Sequence, residues 1–133
     1  MILESGTNAI RTAIESWATT NSYSIGYDNL AFEKPDEALH GRVSIIAGDT
    51  VQADMGVPRR WRTAGTVMLR IFSPIDKGEQ SIYQMIDSFS QTMSSTTLSG
   101  IVVTRSTRSN RVGRSGKWWQ WNVTLPWYMD YTE

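Results

Sequence analysis

The chain has no cysteine in its 133 residues, which excludes disulfides, thiolate metal sites and Cys-His catalysis. Stability must then come from packing, and the composition fits a reducing compartment such as bacterial cytoplasm. There is one histidine, His40, so a multi-histidine zinc site within one chain is excluded as well. Neither sign of charge is in excess. Thirteen basic residues balance thirteen acidic ones, so the overall field gives no reason to expect nucleic acid or membrane as a partner. No apolar run approaches the roughly 20 residues that span a bilayer. The opening Met1-Ile2-Leu3-Glu4 lacks the basic start and long apolar stretch of an export signal, so a soluble protein is expected.

Glycine and proline are spread as turn punctuation, and no repeat, linker or low-complexity tract divides the chain, so residues 1–133 read as one domain. Residues 2–19 predict a helix, because Leu3, Ile10, Ile14 and Trp17, with Ala13 and Ala18, fall near one helical stripe. A short strand is expected over 22–27, a loop through Asn29 and Pro35, and a strand over 42–47 closed by Gly48-Asp49. After a loop to Pro58, residues 60–72 alternate. Trp61, Thr63, Gly65, Val67, Leu69 and Ile71 share one face, and Arg60, Arg62, Ala64, Thr66, Met68 and Arg70 the other. Residues 79–94 predict a second helix with Ile82, Ile86, Phe89 and Met93 inward. Ile101 to Val103 pairs with an aromatic strand carrying Trp119, Trp121, Val123, Leu125 and Trp127, with residues 105–117 as a protruding hairpin between them. Pro126 should lie at an edge or a bulge. The expected fold is α+β, an antiparallel or mixed sheet with two helices packed on one face, in the order α-β-β-β-α-β-β.

Motifs that carry chemistry are scarce. No Gly-x-Ser-x-Gly elbow, Walker A sequence or dinucleotide-binding glycine pattern is present. Asp49 and Asp54 share a loop, but two carboxylates alone do not define a metal site. The reading is a non-enzyme without metal or cofactor.

The informative features are arginine and tryptophan. Ten of the thirteen basic residues are arginine, suited to planar pairing across interfaces. Arg105, Arg108, Arg111, Arg114 and Lys117 recur every third residue with no acid between Ile101 and Asn122, whereas the stretch from Asp28 through Asp49 to Asp54 is acid-rich. Three uses of the basic segment stay open: phosphate contact, pairing with an acidic partner surface, and solvation that keeps an edge from aggregating. Trp61, beside Arg59, Arg60 and Arg62, and Trp118, beside Lys117, have the composition of interface anchors, with partial core as the other reading.

Several local patterns together resemble the tail-terminator proteins of long-tailed bacteriophages. They are Tyr27-Asp28-Asn29-Leu30-Ala31-Phe32, Gly41-Arg42-Val43-Ser44-Ile45-Ile46 leading to Gly48-Asp49, and Gly65-Thr66-Val67-Met68-Leu69-Arg70-Ile71-Phe72 running into a Pro-x-x-x-Gly turn and a helix. The last is Trp121-Asn122-Val123-Thr124-Leu125-Pro126-Trp127. The resemblance implies a virion protein that forms a hexameric ring on the tail tube, stops its polymerisation and joins tail to head. The partners it implies are copies of itself, the tube protein and a head-side connector. It brings no catalytic residues, and rings of this kind need two different patches per subunit. The arginine-rich segment is stronger than the family pattern requires, which keeps a DNA-facing or connector-facing neck role as the alternative.

Overall fold

In the computed structural model the described residues are 3–28, 38–52, 60–75 and 78–132. Helix α1 spans Leu3–Asn21 and buries Gly6, Ala9, Ile10, Ile14, Trp17 and Ala18 along one stripe. Leu3, expected inside, is exposed at the helix start. The Asn21 amide donates to the Trp17 carbonyl in the last turn, and Ser22, at a φ of 58°, ends the helix. Helix α2 spans Gln80–Met93 and buries Ile82, Met85, Phe89 and Met93. Met85 rather than Ile86 completes its inner face.

The strands are β1 (Ser24–Tyr27), β2 (His40–Gln52), β3 (Arg60–Pro74), β4 (Thr97–Leu98), β5 (Val102–Thr104), β6 (Arg108–Ser115) and β7 (Trp118–Thr132). They form one mixed sheet in the order β1-β2-β3-β7-β5-β4, with β6 also paired to β7. β1 runs parallel to β2, and the other pairs are antiparallel. The fold is thus α+β and dominated by the sheet. The chain order is α-β-β-β-α-β-β-β-β, two strands more than expected.

Residues 108–115 are not a free arm but strand β6, paired to the first half of β7 and joined to it through Gly116 at a φ of 62°. Alternation of polar residues with arginine hid this strand, because neither face of β6 is buried. Val112-Gly113 forms a bulge, with Gly113 at a φ of 97° that a side chain rarely adopts. Strand β7 is central, with β3 along one side and β5 and β6 along the other. Pro126 nevertheless fits. It faces the gap between β5 and β6, where no ladder needs its missing N–H and its carbonyl accepts from Arg105 N at 2.9 Å.

One hydrophobic core unites both helices with Val43, Val67, Leu69, Ile71, Val102, Val123, Leu125, Trp127 and Met129 of the sheet. Cross-strand register puts these positions on a single face, since Val43, Leu69 and Val123 are direct neighbours. Trp17 locks the helices together, its indole N–H donating to Ser88 Oγ at 3.0 Å and its ring meeting Phe89 edge-on at 5.1 Å. Burial of β2 stops at Ile45, and Ile46, Ala47, Gly48, Asp49 and Val51 are exposed. The far end of β2, beside the start of β3, is therefore open to solvent.

Candidate interface on the sheet

The register of β3 and β7 assembles a charged cluster at that far end. Arg62 and Asp130 are cross-strand neighbours, and Asp130 accepts two bonds from the Arg62 guanidinium, at 2.8 and 3.0 Å, and one from Arg60 at 3.2 Å. The Arg62 guanidinium lies 4.1 Å from the Tyr128 ring centre, and that of Arg105 lies 5.2 Å from the same ring. Arg60, Arg62 and Arg105, far apart in sequence, thus meet around one tyrosine and one carboxylate. Tyr128 and Asp130 carry no sequence signal of their own. Only the pairing of β3 with β7 reveals them.

The hydrogen bond from Arg62, reinforced by Arg60, holds the Asp130 carboxyl below the usual aspartate range. A carboxyl depressed on folding contributes stability that is whole above about pH 4 and is lost as pH falls through its folded value. Asp130→Asn is expected to lower stability by about 1 kcal/mol at neutral pH and to flatten the fall below about pH 4. Denaturation midpoints taken from neutral pH to acid should show the two proteins converging. A constant offset at every pH would mean that the pair carries no linked proton.

A second aromatic group lies on the helix side. Trp121 Nε1 donates to Glu79 at the start of α2, and its ring meets Tyr83 edge-on at 5.4 Å. Arg111 sits 5.3 Å from the Trp119 ring centre. The indole N–H groups of Trp119 and Trp121, with Arg111 nearby, hold the Glu79 carboxyl below its ordinary value, although the Trp119 N–H closes no hydrogen bond of regular geometry. Pro74, Ile75, Gly78, Glu79 and Trp119 line a shallow hollow here of about 280 Å³.

The remaining expected site residues are dispersed. Trp61 is half-buried between Gln52 and Tyr131 in the register, outside the core. Trp118 is 6% exposed and packs edge-on against His40 at 4.7 Å, with Lys117 over its ring, so little of it is open to a partner. His40 is itself buried and stacked on Phe72. Arg108 and Arg114 are exposed on β6, and Arg114 donates to the Gly116 carbonyl. Asp28 and Asp49 are exposed, the first just beyond β1 and the second in a bulge of β2. Arg59 and Asp54 lie outside the described residues. Among the described residues no three histidine, aspartate or glutamate side chains converge as a metal site. No helix among them is long and apolar enough to cross a membrane.

The family model for phage tail terminator proteins matches residues 7–127. The chain belongs to the phage tail terminator family. That family is a structural one and not an enzyme family, so the chain has a structural role in a phage tail. Twenty solved chains match, one of them with a TM-score of 0.69 at 17% identity, over 94% of this chain and 96% of that one. At that identity the likeness concerns the fold alone. No curated protein sequence matches.

Proposed function

We propose that this terminator closes into a ring, hexameric by family resemblance, that caps the tail tube, ends its polymerisation and presents a surface to the head. The observation that carries the reading is the placement of charge across the sheet. Strands β1 and β2, with exposed Asp28 and Asp49, lie toward one side, and β6, with Arg108, Arg111 and Arg114, lies toward the other. Opposite charge on opposite sides suits a head-to-tail contact, in which one side of a subunit meets the different side of the next and the rotation closes. The far end of β2 and β3, with Trp61 and the Arg62–Tyr128–Arg105 group, supplies arginine and aromatic side chains of the kind that dominate interface energies. We assign that end to the tube protein or to the head-side connector.

Light scattering across a range of concentration, with negative-stain images of the same sample, tests the ring directly. A six-fold particle is the expected result, and a monomer both alone and on added tail tubes would overturn it. Trp61→Ala is expected to weaken binding to tube ends by about 10-fold or more, as for an interface anchor, while shifting Tm by only a few degrees. Loss of thermal stability in step with loss of binding would make Trp61 a folding residue instead.

A further inference from the structure

We infer that the sheet face turned away from the helices binds the phosphate backbone of nucleic acid through Arg42, Arg70 and Arg108. Register places Arg42 of β2 directly opposite Arg70 of β3, Arg70 opposite Asn122 of β7, and Asn122 opposite Asn110 of β6. One step along the strands, Ser44, Met68, Thr124 and Arg108 form the next row. The positions between these rows are Val43, Leu69 and Val123 of the core, so both rows lie on the opposite face. With strands about 4.8 Å apart, the first row spans about 14 Å.

Like charges directly across an antiparallel pair repel and destabilise the sheet. Arg42 and Arg70 are nevertheless set face to face, and among the described residues neither they nor Arg108 has a carboxylate within ion-pair distance. An external anion between the two guanidiniums turns that repulsion into two attractions, and the guanidinium fork matches phosphate oxygens in particular. Ser44 is buried, and the accessible polar neighbours are the amides of Asn110 and Asn122 and the Thr124 hydroxyl, the usual companions of arginine at a nucleic-acid backbone. Of the exposed large hydrophobic residues, Ile46 follows in the next row of this face, opposite Thr66, and Val51 lies further along it, opposite Arg62. The two rows are thus polar apart from Met68, and their paired arginines suit a sugar-phosphate strand. No base-reading element is present in the rows, so binding is independent of sequence.

This inference goes beyond the ring: it shares only Arg108 with the basic side of the ring contact, and Arg42 and Arg70 belong to the face alone. The test is fluorescence anisotropy of the full chain with a labelled single strand and a labelled duplex of about 20 units, at salt from about 50 to 200 mM. Three phosphate contacts give a log–log salt slope of about −2 for the single strand and about −3 for the duplex. The double variant Arg42→Gln, Arg70→Gln is expected to flatten that slope by about 1.4 to 1.8 units and to weaken binding at the lowest salt by about 10-fold or more. Arg11→Gln with Lys117→Gln removes the same charge elsewhere and should leave the slope unchanged. The Arg42, Arg70 variant should melt no lower than the parent, since a repulsion has been removed. If it fails to fold, Arg108→Gln alone reads the same face with a loss of about 0.7 to 0.9 of slope. The inference is overturned if the parent binds neither probe at the lowest salt, if both charge-matched variants lose binding equally, or if polyglutamate displaces the nucleic acid as well as unlabelled strand does. The last outcome would assign the face to an acidic protein. Scattering on the same samples reports the ring separately, so loss of one result leaves the other standing.

Discussion

Trp127→Ala is expected to cost about 3 to 5 kcal/mol of folding stability, the range for removing a buried large aromatic side chain. Trp127 is 1% exposed, sits on the central strand β7 and joins the core shared by both helices and the sheet. A cavity there cannot be closed by one neighbour, because its walls come from different elements of the fold. The expected fall in Tm is roughly 10 to 25 °C, to be read by calorimetry or circular dichroism. Trp127→Phe supplies the contrast. Among the described residues the buried Trp127 indole N–H has no hydrogen-bond partner, so phenylalanine loses ring volume but also removes an unsatisfied donor. Its cost should be well under half that of alanine. Equal losses for the two variants would show that the six-membered ring alone cannot hold the core.

Gly65→Ala should be nearly as damaging, although it adds only one methyl group. Gly65 pairs with Ala47 on one side and with Trp127 on the other. A Cβ at this position would overlap the Ile46 carbonyl oxygen and lie 2.5 Å from the Trp127 ring. The oxygen belongs to backbone in the β2–β3 ladder and cannot rotate away, so relief requires moving a strand or the core tryptophan. A loss of about 3 kcal/mol or more is expected, at the upper end for overpacking. The damage should extend to the end of β2, where hydrogen exchange over residues 46–52 would rise more than exchange in α1. A loss below about 1 kcal/mol would mean that the sheet absorbs the methyl by a small shift of its twist.

These two positions show how far the residues spoke for themselves. Alternation from Trp61 to Ile71 predicted β3 and its inward face, and Val67, Leu69 and Ile71 are buried as that pattern requires. Helical spacing placed Ile10, Ile14 and Trp17 in the core for the same reason, that one stripe of a helix is apolar. Gly65 read only as a gap in the apolar face, because its role depends on a tryptophan 62 positions later that pairing brings opposite it. Strand β6 leaves no periodic signal since both of its faces are exposed, and a strand held by backbone pairing to one neighbour needs no apolar period. The interface residues were legible by type but not by place. Arg60, Arg62 and Arg105 stood out as arginines, yet nothing local links them to Tyr128 and Asp130.

The residues alone settled what is local or compositional. Absence of cysteine and the single histidine ruled out whole classes of site, and two amphipathic helices and alternating strands followed from periodicity. Family membership was legible too, because its pattern runs along nearly the whole chain. The tertiary structure decided everything that depends on which strands become neighbours. It made residues 108–115 part of the sheet, closed Trp118 and His40 away from solvent, and set Arg42 opposite Arg70. The reason is physical. Side-chain pattern reports which face of an element is buried, whereas cross-strand order and register are chosen by the packing of the whole core, so contacts between distant residues exist only once that choice is made.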